Sequence, residues 1–554
     1  MRLNGAKIIM ECLLEQGVDT IFGYPGGQIM PLYNALYDYT EDGRIRHILT
    51  SHEQGATHAA DGYARSTGGI GVCFATSGPG ATNTVTGIAT AHMDSSPMVV
   101  ITGQVPVASI GRDSFQEVDI VGITLPITKH SYALRTMDEL APAVREAFRI
   151  ARSGRPGPVL IDVPKDLLVG ETEYRPEKPK ALYAAPKADK AAVAEIAKLI
   201  NGAKKPIIYA GGGVNIANAS AELTKLAHTS NIPVGTTLMC LGCFDRNDSL
   251  SLGMVGMHGE RHANLAMHNA DLVIAIGARF SDRVTGDTSR FAKGAKIVHI
   301  DIDQSEISKN VDVDFEVIGD VREVLKTLVP LVKEKARREW LREIDGWKRD
   351  VAYEGMSPGN IIRTIHDAFG SSAGDVMVAT DVGQHQMWTA QHWPFAKPRR
   401  LITSGGLGTM GFGLGAAIGT QFANPKKQVI HISGDGSFRM NCNELMTVAA
   451  HGLPIITFVM KNHTLGMVRQ WQTLFWERRH SATDIPDVLD YAKLCEAVGL
   501  SGCEVDTIGG LRGAIAAARA SGKGAVIAVN IDVDDCVWPI VPPGDAIFNL
   551  RTEE

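Results

Sequence analysis

Short runs of apolar, β-branched residues recur along the chain, separated by glycine-rich turns and by segments with helical periodicity. Within each run the apolar residues are consecutive, which is typical of strands buried on both faces of a parallel sheet. The pattern therefore predicts an α/β fold of doubly wound parallel sheets covered by helices on both sides. The clearest runs lie at 71–83, 97–104, 158–164, 205–215, 271–282, 296–303, 428–437 and 454–462.

Two charged, proline-containing stretches interrupt this pattern, the first at 165–190 and the second at 332–358. A chain of 554 residues is long enough for several domains, and we expect three, each with a doubly wound parallel sheet. The second stretch is compatible both with a linker helix and with the solvated face of an ordinary helix. The predicted domains span 1–165, 190–330 and 358–540, and a C-terminal tail covers 541–554.

Charge and hydropathy argue against two classes of partner. The net charge is −6, so no basic field favours nucleic acid or an anionic membrane surface. The N-terminus carries Glu11 and Glu15 within its apolar stretch, which favours an amphipathic helix capped by Asn4 over a signal peptide. No apolar run approaches the ~20 residues that a membrane span requires. We therefore expect a cytoplasmic protein that binds neither nucleic acid nor membrane.

The cysteines give little indication of chemistry. There are eight, scattered along the chain, and only Cys240 and Cys243 have the Cys-x-x-Cys spacing of redox and zinc sites. A single such pair is a weak signal, and free cysteines are commonly buried as small apolar residues. We expect ordinary packing here, with a redox or zinc role as the alternative.

The segment at 431–441, HISGDGSFRMN, ends a predicted strand with a carboxylate between two glycines. The next predicted strand ends at Asn462. Ligands bind beyond the carboxyl ends of parallel strands, and successive strands are commonly neighbours, so Asp435 and Asn462 are expected to converge. Their oxygens suit Mg²⁺, which often holds a phosphate as well, and a helix expected from Asn443 onward would direct its N-terminus towards that phosphate. Taken alone, Gly-Asp-Gly is equally compatible with a simple turn.

A competing interpretation comes from a glycine-rich segment nearby. Gly406, Gly408 and Gly411 match the Gly-x-Gly-x-x-Gly fingerprint of dinucleotide-binding folds, and the next strand ends in Asp435. A lone fingerprint is weak support, and this interpretation would leave Asn462 without a role.

Gly-Asp-Gly followed by Asn462 resembles the thiamine diphosphate motif of the superfamily that contains pyruvate decarboxylase and acetohydroxyacid synthase. The resemblance extends over nearly the whole chain, and the set of motifs is similar to that of the catalytic subunit of acetohydroxyacid synthase (acetolactate synthase). The matching segments are FGYPGG (22–27), SHEQGATHAADGYAR (51–65), ATSGPGATN (75–83), ITGQVP (101–106), DSFQEVD (113–119), SGRPGPVLIDVPKD (153–166), DVGQHQMW (381–388), SGGLGTMGFGLGAAIG (404–419), HTLGMVRQW (463–471) and VWPIVPPG (537–544).

The resemblance implies a thiamine diphosphate site, with the pyrimidine bound by the N-terminal domain and the diphosphate and Mg²⁺ by the C-terminal domain. Glu53 would be the carboxyl group that hydrogen-bonds to the pyrimidine and assists proton removal from the coenzyme. Met410 would support the bent coenzyme, and the implied metal ligands are Asp435, Asn462 and the carbonyl of Thr464. The implied coenzyme contacts are Gly26, Pro79, Asn83, Val382, Gly383, Gln384, His385, Gly408, Met410, Gly434, Gly436, Ser437, Gly466 and Met467.

For the central domain the resemblance implies an FAD site, which separates the biosynthetic enzyme from catabolic acetolactate synthases that lack the flavin. Glycines would allow close approach of the backbone, and acids at strand ends would meet ribose hydroxyls. The flavin would take no net part in the redox balance of the reaction. The implied contacts are Gly211, Gly212, Gly213, Thr237, Leu238, Met239, Met257, His258, Gly259, Gly277, Arg279, Asp282, Arg283, Val284, Asp301, Ile302 and Asp320.

The implied activity has two stages and belongs to branched-chain amino-acid biosynthesis. Pyruvate is decarboxylated on thiamine diphosphate, and the two-carbon unit is transferred to a second 2-oxoacid. Pyruvate as acceptor gives 2-acetolactate, and 2-oxobutyrate gives 2-aceto-2-hydroxybutyrate. Arg283 would bind the carboxylate of the acceptor and Trp471 the extra methylene of the longer one. Phe115, Gln116 and Lys129 would line the same site.

Two alternatives stay open. The first is an FAD-dependent pyruvate oxidase of the same superfamily, which the segments DSFQEVD (113–119) and RFSDR (279–283) disfavour. The second is a non-catalytic binding or scaffold protein, which the intact Glu53, Asp435 and Asn462 disfavour.

The resemblance also implies an assembly, because Glu53 of one subunit would meet Asp435 of another across a dimer interface. We therefore expect a homodimer or a homotetramer, and a separate regulatory small subunit is compatible with this expectation. Lys461, His463 and Thr464 differ from the residues common in the family. The segment after Trp471 is expected to be a mobile lid, and the sequence leaves open how these three residues affect it.

Overall fold

Three six-stranded parallel sheets form the framework of the computed structural model, which describes residues 1–349 and 351–552. Within these ranges every strand pairing inside the three sheets is parallel, and helices connect successive strands. The predicted fold class, an α/β protein with three doubly wound parallel sheets, is confirmed.

The N-terminal sheet has the strand order β3-β2-β4-β5-β7-β6. A separate antiparallel pair, β1 with β8, joins the two ends of this part of the chain. The strands are β1 Arg2–Asn4, β2 Thr20–Gly23, β3 Arg46–Leu49, β4 Gly71–Ala75, β5 Met98–Gln104, β6 His130–Ala133, β7 Pro158–Pro164 and β8 Glu171–Glu173. The helices are α1 Gly5–Glu15, α2 Met30–Glu41, α3 Glu53–Thr67, α4 Pro79–Thr82, α5 Val85–Met93, α6 Ile120–Thr124, α7 Met137–Arg152 and α8 Lys165–Val169.

The central sheet has the order β11-β10-β9-β12-β13-β14. Its strands are β9 Pro206–Ala210, β10 Val234–Thr236, β11 Ser251–Met254, β12 Leu272–Ile276, β13 Lys296–Asp301 and β14 Phe315–Ile318. Its helices are α9 Lys190–Gly202, α10 Gly212–Ile216, α11 Ser220–Ser230, α12 Arg261–Asn269, α13 Asp282–Thr285, α14 Val321–Leu328 and α15 Arg338–Asp345.

The C-terminal sheet has the order β16-β15-β17-β18-β20-β19. Its strands are β15 Met377–Thr380, β16 Leu401–Ile402, β17 Val429–Gly434, β18 Ile456–Lys461, β19 Ser501–Val505 and β20 Ala525–Asn530. Its helices are α16 Pro358–Asp367, α17 Gln384–His392, α18 Phe412–Ala423, α19 Asp435–Asn441, α20 Leu445–Ala450, α21 Gly466–Phe475, α22 Tyr491–Ala497 and α23 Ile508–Ser521.

The 3-10 helices are short and occupy turns. They lie at Val107–Ser109, Leu125–Ile127, Leu238–Cys240, Thr288–Arg290, Gln304–Glu306, Val329–Leu331, Gly370–Asp375 and Cys442–Glu444.

The local sequence explains the main elements. All residues of β4 and β7 are buried, as expected for strands covered on both faces. Helix α1 begins after Asn4, whose side chain accepts a hydrogen bond from the backbone N–H of Lys7 at 2.9 Å, so the predicted cap is confirmed. One boundary was predicted wrongly. The helix expected from Asn443 begins instead at Asp435, because Gly434 already adopts the extended conformation of an N-cap.

The charged stretch around 332–358 contains a helix that packs on the central sheet. Trp340 and Ile344 of α15 are buried, and the indole N–H of Trp340 donates to the carbonyl of Pro206 at 3.0 Å. Only one face of α15 is solvated, since its charged residues lie on the other side. Of the two interpretations left open, the ordinary helix with one solvated face describes this segment.

The C-terminal tail folds back onto the central part of the chain. The backbone N–H of Val541 donates to the carbonyl of Met257 at 2.8 Å, and Asp545 forms an ion pair with Arg290 at 2.7 Å. The tail expected at 541–554 also includes 553–554, which lie outside the described residues. No helix within the described ranges is both long and apolar enough to cross a membrane.

Helices α3 and α18 hold the N-terminal and C-terminal sheets together. A Cβ atom placed on Gly62 would lie 2.1 Å from the carbonyl oxygen of Ala416, and one on Gly419 would lie 1.7 Å from that of Ala59. Because real Cβ atoms do not approach so closely, glycine is required at both positions for the two backbones to meet.

We predict that Gly419→Ala destabilises the protein by roughly 2 kcal/mol or more, because the added methyl group forces α3 and α18 apart. The matched control is Gly513→Ala within α23, where a Cβ would meet nothing within 4 Å; helix propensity predicts up to ~1 kcal/mol of stabilisation there. Thermal unfolding of both variants without cofactors is the measurement, and equal melting temperatures would contradict the prediction.

Candidate active site

Asp435 and Asn462 lie at the carboxyl ends of neighbouring strands. Strands β17 and β18 are parallel and pair Gly434 with Met460, so the two residues that follow them stand at the same edge of the sheet. Both side chains are buried, and both line a cavity of about 60 Å³ together with Thr464. The structure thus brings together the three predicted metal ligands.

The side-chain oxygens of Asp435 and Asn462 accept backbone hydrogen bonds within the wall of this cavity. Asp435 accepts from the backbone N–H of Gly436 at 3.0 Å and of His463 at 2.7 Å, and Asn462 Oδ1 accepts from the N–H of Thr464 at 3.3 Å. Burial raises the pKa of Asp435 more than these hydrogen bonds lower it. Carboxylate and amide oxygens are hard ligands, and this donor set fits Mg²⁺.

The other side chains that commonly bind metals form no further cluster in the described part of the chain. Within the described ranges no group of three or more His, Cys, Asp and Glu side chains is arranged to hold a metal ion. All eight cysteines are free, and Cys240 and Cys243 are buried among apolar side chains, which agrees with ordinary packing.

The residues predicted to bind the diphosphate surround the same cavity. Helix α17 begins next to it, and its N-cap Gly383 has φ +147°, in a region that favours glycine. His385 is buried, and its Nε2 has no hydrogen-bond partner in the part of the chain described. Burial lowers the pKa of His385 to about 4, so a neutral imidazole is present at pH 7. An unpartnered ring nitrogen and a helix N-terminus together fit an anionic phosphate group.

Position 466, in the wall of the same cavity, requires glycine. A Cβ there would lie 1.9 Å from Gln384 Oε1 and 2.8 Å from Asn462 Nδ2. The remaining predicted residues that line the cavity are Val382, Met410, Gly434, Gly436, Ser437 and Met467.

The loop that carries Gly408 and Met410 is held by the N-terminal part of the chain. The carboxylate of Asp94 accepts from the backbone N–H of Gly405 at 3.1 Å and of Gly406 at 2.7 Å. These donors are therefore already used, which disfavours the interpretation of Gly406–Gly411 as a dinucleotide fingerprint.

Glu53 is the first residue of α3 and lies at the carboxyl edge of the N-terminal sheet. It is buried, and its Oε2 accepts from Asn83 Nδ2 at 2.9 Å. A Cβ on Gly80 would lie 3.2 Å from Glu53 Oε1, and Pro79 begins the short helix that contains Gly80. Gly26 faces Thr76, which is also next to Gly80. The predicted pyrimidine contacts thus form a second cluster.

Phe115 and Gln116 lie beside this second cluster, and Lys129 does not. Gln116, whose own φ is +61°, packs on Gly78. The side chain of Phe115 is 84% exposed. Lys129 Nζ donates to the carbonyls of Ile150 and Ser153, both at 2.6 Å, and desolvation lowers the pKa of Lys129 to about 8.

The two clusters are separate within one chain. The cavity at Asp435 is lined, among the described residues, only by side chains from 382–531. Glu53 and its neighbours therefore stand outside it.

A cavity of about 600 Å³ lies between the three parts of the chain and opens at the carboxyl edge of the central sheet. Its size is within the range of small-molecule sites. Of the predicted flavin contacts, the following line it: Gly212, Gly213, Thr237, Leu238, Met239, Met257, His258, Gly277, Arg279, Arg283, Val284, Asp301, Ile302 and Asp320. Gly211, Gly259 and Asp282 are absent from its lining among the described residues.

The glycines of this region allow the chain to pack on itself. A Cβ on Gly211 would lie 2.2 Å from the carbonyl oxygen of Gly277, and one on Gly213 would lie 2.7 Å from the Gly277 Cα. Ends of β9 and β12 therefore meet closely, at the point where the strand order reverses.

Polar atoms without partners mark the wall of the cavity. Thr237 Oγ1, His258 Nδ1 and Trp471 Nε1 are buried and lack hydrogen bonds in the part of the chain described. Burial lowers the pKa of His258 to about 4. Buried polar groups are normally satisfied, so these atoms fit a cavity that receives a ligand with both polar and apolar surface, as FAD has.

Arg155 is a cavity residue to which the sequence analysis gave no role. It comes from the N-terminal part of the chain, donates to Ser95 Oγ at 2.8 Å and forms an ion pair with Glu306 at 2.7 Å. Arg155, Ser95 and Glu306 all line the cavity. The segment SGRPGPV lies within one of the motifs of the sequence analysis (153–166). Only the packing of the sheets shows that its arginine faces the central cavity.

Arg283 and Trp471 stand together where the large cavity approaches the Asp435 cavity. The guanidinium carbon of Arg283 lies 5.6 Å from the centre of the Trp471 ring. Val382, Gly383 and Met467 line both cavities, so the two are adjacent. The arrangement can hold a small anionic molecule beside the cavity at Asp435.

The segment expected to form a lid is attached to the loop at 461–464, which carries two of the predicted metal ligands. Thr464 Oγ1 donates to the carbonyl of Thr483 at 3.0 Å, and the N–H of Ile485 donates to the carbonyl of His463 at 2.7 Å. Lys461 pairs with Asp487 of the same segment at 3.1 Å.

The ion pairs of Lys461 outweigh its burial. Burial lowers the pKa of Lys461, but Glu504 at 2.8 Å and Asp487 raise it by more, and the net pKa is above the usual value. The three residues that depart from the family pattern, Lys461, His463 and Thr464, therefore all contact the segment at 483–487.

Comparisons with known proteins agree with this arrangement. Three family models match the chain, and they are described as the N-terminal TPP binding domain (residues 3–123), the central domain (193–328) and the C-terminal TPP binding domain (381–529) of thiamine pyrophosphate enzymes.

Curated relatives match over nearly the whole length. The chain is 48% identical to the acetolactate synthase large subunit of Parasynechococcus marenigrum, with 98% of this chain and 90% of that protein covered. It is 44% identical to the acetolactate synthase isozyme 1 large subunit of Escherichia coli K12, covering 98% and 97%. It is also 44% identical to a probable acetolactate synthase large subunit of Methanocaldococcus jannaschii, covering 99% and 95%. The chain therefore belongs to the acetolactate synthase large subunits of the thiamine pyrophosphate enzyme family.

Proposed function

We propose that the protein is an acetolactate synthase that decarboxylates pyruvate and transfers the two-carbon unit to a second 2-oxoacid. The observation that carries this proposal is the pair of buried carboxylates, Glu53 and Asp435, at the carboxyl edges of two sheets in a chain that is similar to acetolactate synthases over its full length. The similarity to acetolactate synthases favours this activity over that of a pyruvate oxidase, and the intact carboxylates argue against a non-catalytic scaffold.

Thiamine diphosphate, when bound, supplies a carbanion and accepts the electron pair of the departing carboxylate. Its Mg²⁺ would be held by Asp435, Asn462 and the carbonyl of Thr464. His385 and the N–H groups at the start of α17 would bind the diphosphate. Met410, which lines the same cavity, would support the coenzyme.

Glu53 would hold and move a proton at the pyrimidine end. Its Oε2 is bonded to Asn83, and its Oε1 faces Gly80. A buried carboxyl group with one free oxygen can hydrogen-bond to a ring nitrogen and exchange a proton with it.

Arg283 and Trp471 would select the acceptor. A planar guanidinium binds a carboxylate with two hydrogen bonds, and the side chain of Arg283 is still 61% exposed to the cavity and solvent. Trp471 offers an apolar surface for the extra methylene of 2-oxobutyrate, whose burial is worth roughly 1–3 kcal/mol. The surrounding walls would exclude water and so favour transfer over simple protonation.

FAD is the group that best suits the large cavity. The cavity has the volume of a ligand site, unpartnered Thr237 and His258, and acids at strand ends in Asp301 and Asp320. Arg155 would provide a positive charge for a phosphate of the flavin. Lys129 lies outside this cavity within one chain.

We propose a symmetric homodimer as the smallest active unit, with a homotetramer as a pair of such dimers. The Glu53 cluster and the Asp435 cavity are separate in one chain, and Phe115 beside Glu53 is largely exposed. A second copy would bring one Glu53 cluster to the other Asp435 cavity. Because several relatives carry the name "large subunit", a separate small subunit with a regulatory role is a further proposed partner.

Incubation of the purified protein with pyruvate, thiamine diphosphate, Mg²⁺ and FAD should yield acetolactate. Mixed pyruvate and 2-oxobutyrate should yield both acetohydroxyacids, and their ratio reports the acceptor preference. Peroxide with acetate or acetyl phosphate would instead support a pyruvate oxidase, and no turnover would support a binding protein.

We predict that Glu53→Gln lowers kcat at least ~100-fold, since the amide cannot exchange a proton with the coenzyme. Affinity for thiamine diphosphate and the melting temperature should change little. Glu41→Gln, at the exposed end of α2, is the matched control and should keep full activity. Undiminished turnover of Glu53→Gln would remove Glu53 from this role.

We predict that Arg155→Met weakens FAD binding roughly 10- to 100-fold, because it removes a charged donor and leaves Glu306 in the cavity wall with one ion pair fewer. Arg322→Met, which removes an exposed ion pair with Glu222 outside the cavity, is the control. Titration of flavin absorbance measures both. Equal FAD affinity of the two variants would show that Arg155 makes no contact with the flavin.

A further inference from the structure

Glu444 is a fully buried carboxylate of the C-terminal part of the chain that contacts the N-terminal part. Its Oε1 accepts from the backbone N–H groups of Ser51 and His52, both at 3.1 Å, and its Oε2 accepts from Ser51 N–H at 3.1 Å and from Thr447 Oγ1 at 2.6 Å. The hydroxyl of Ser51 also donates to the carbonyl of Asn443 at 3.0 Å. One side chain thus binds two successive amides almost 400 residues away in sequence.

Gly55 leaves the space that the carboxylate of Glu444 occupies. A Cβ on Gly55 would lie 2.1 Å from Glu444 Oε1, so any larger residue in this turn of α3 would displace the carboxylate. Burial raises the pKa of Glu444 more than its hydrogen bonds from Thr447, Ser51 and His52 lower it. A buried carboxylate is costly, and the geometry surrounds this one with donors from the backbone.

The bound amides directly precede Glu53. His52 is the N-cap of α3, and its Nδ1 accepts from the N–H of Gln54 at 3.1 Å. Glu53 itself is bonded through its side chain to Asn83. Glu444 therefore holds the backbone that leads into Glu53, while Asn83 holds one oxygen of the Glu53 side chain.

Glu444 also stands at the end of a short segment that begins at the candidate metal site. Helix α19 starts with Asp435 and leads directly into the 3-10 helix Cys442–Glu444. Asp435 and Glu444 are thus the two ends of one continuous helical segment of about three turns.

We propose that Glu444 is a positioning residue for the reaction: it fixes the backbone before Glu53 and so sets the place of that carboxylate, and it connects Glu53 to the segment that begins at Asp435. This inference rests on the proposed thiamine diphosphate chemistry. A purely structural role is the alternative, since the packing of α3 on α18 already joins the two sheets.

The test compares the wild-type holoenzyme with Glu444→Gln, which keeps the shape of the side chain but presents an NH₂ group to one of the amides. We expect kcat to fall roughly 10- to 100-fold, with thiamine diphosphate affinity within about threefold of wild type. Deuterium exchange of the C2 proton of bound thiamine diphosphate should slow by a similar factor. In the protein without cofactors, amide exchange of the peptide containing Ser51 and His52 should become faster.

A double variant separates positioning from stability. In the Glu53→Gln background, Glu444→Gln should slow C2 proton exchange by less than about a further threefold, because the two residues act on one step. Thr447→Val, which removes one hydrogen bond to Glu444, should give a smaller loss than Glu444→Gln. Glu15→Gln changes a partly buried carboxylate that is likewise hydrogen-bonded, to Arg145 and to the N–H of Glu177, and should leave C2 exchange unchanged.

Unchanged C2 exchange in Glu444→Gln, or full multiplication of the two losses in the double variant, would overturn the proposal. A loss equal to that of Glu15→Gln would also overturn it and would indicate a structural role. If the wild-type protein neither binds thiamine diphosphate nor makes acetolactate, the proposed function fails instead, and faster amide exchange at Ser51 and His52 would still report the contact itself.

Discussion

The close crossing of α3 and α18 is the constraint on which the rest of the structure depends. Gly62 and Gly419 allow the two backbones to meet, and each helix is connected directly to a functional residue. Helix α3 begins with Glu53, and α18 follows the loop that carries Met410. Because a packed helix pair does not deform gradually, the distance between these helices determines where Glu53 and the loop that carries Met410 stand relative to each other in one chain.

The large cavity depends in the same way on how the central sheet packs against the other two. It opens where the strand order of the central sheet reverses, and its wall includes Arg155 from the first part of the chain and Trp471 from the last. Val382 and Gly383 border both this cavity and the one at Asp435. The flavin proposed for this cavity would complete the wall beside the cavity at Asp435 and exclude water from it, which would be a structural purpose for a group that the proposed reaction does not need for redox chemistry.

The sequence predicts the sheets and the residues at their edges because both follow from local patterns. Consecutive apolar residues indicate buried parallel strands, and Asp435 and Asn462 come directly after two of them. The exact start of α19 was missed, since a glycine before an aspartate is compatible both with a turn and with an N-cap. The role of Arg155 and the contact of Glu444 with Ser51 could not be predicted, because they depend on how separate sheets pack.

The oligomeric assembly likewise cannot be predicted from local sequence patterns. Within one chain, Glu53 and the Asp435 cavity belong to different sheets, and only the resemblance to a family indicated that a second copy joins them. The exposed Phe115 next to the Glu53 cluster is the structural feature that agrees with this expectation. An apolar ring in that place is costly in water and favourable at an interface.

Three buried carboxylates show how the same chemical group serves different purposes. Glu444 accepts from three donors of the protein, so its oxygens are satisfied and it can only hold other groups in place. Asp435 accepts from two backbone amides and retains capacity for a cation. Glu53 accepts from one side-chain amide and keeps an oxygen free for a partner from outside. An unsatisfied buried carboxylate costs several kcal/mol. A buried carboxylate that receives fewer hydrogen bonds from the protein therefore depends more on a ligand. The number of protein donors decreases from Glu444 to Asp435 to Glu53, and this order matches their proposed roles in positioning, metal binding and proton transfer.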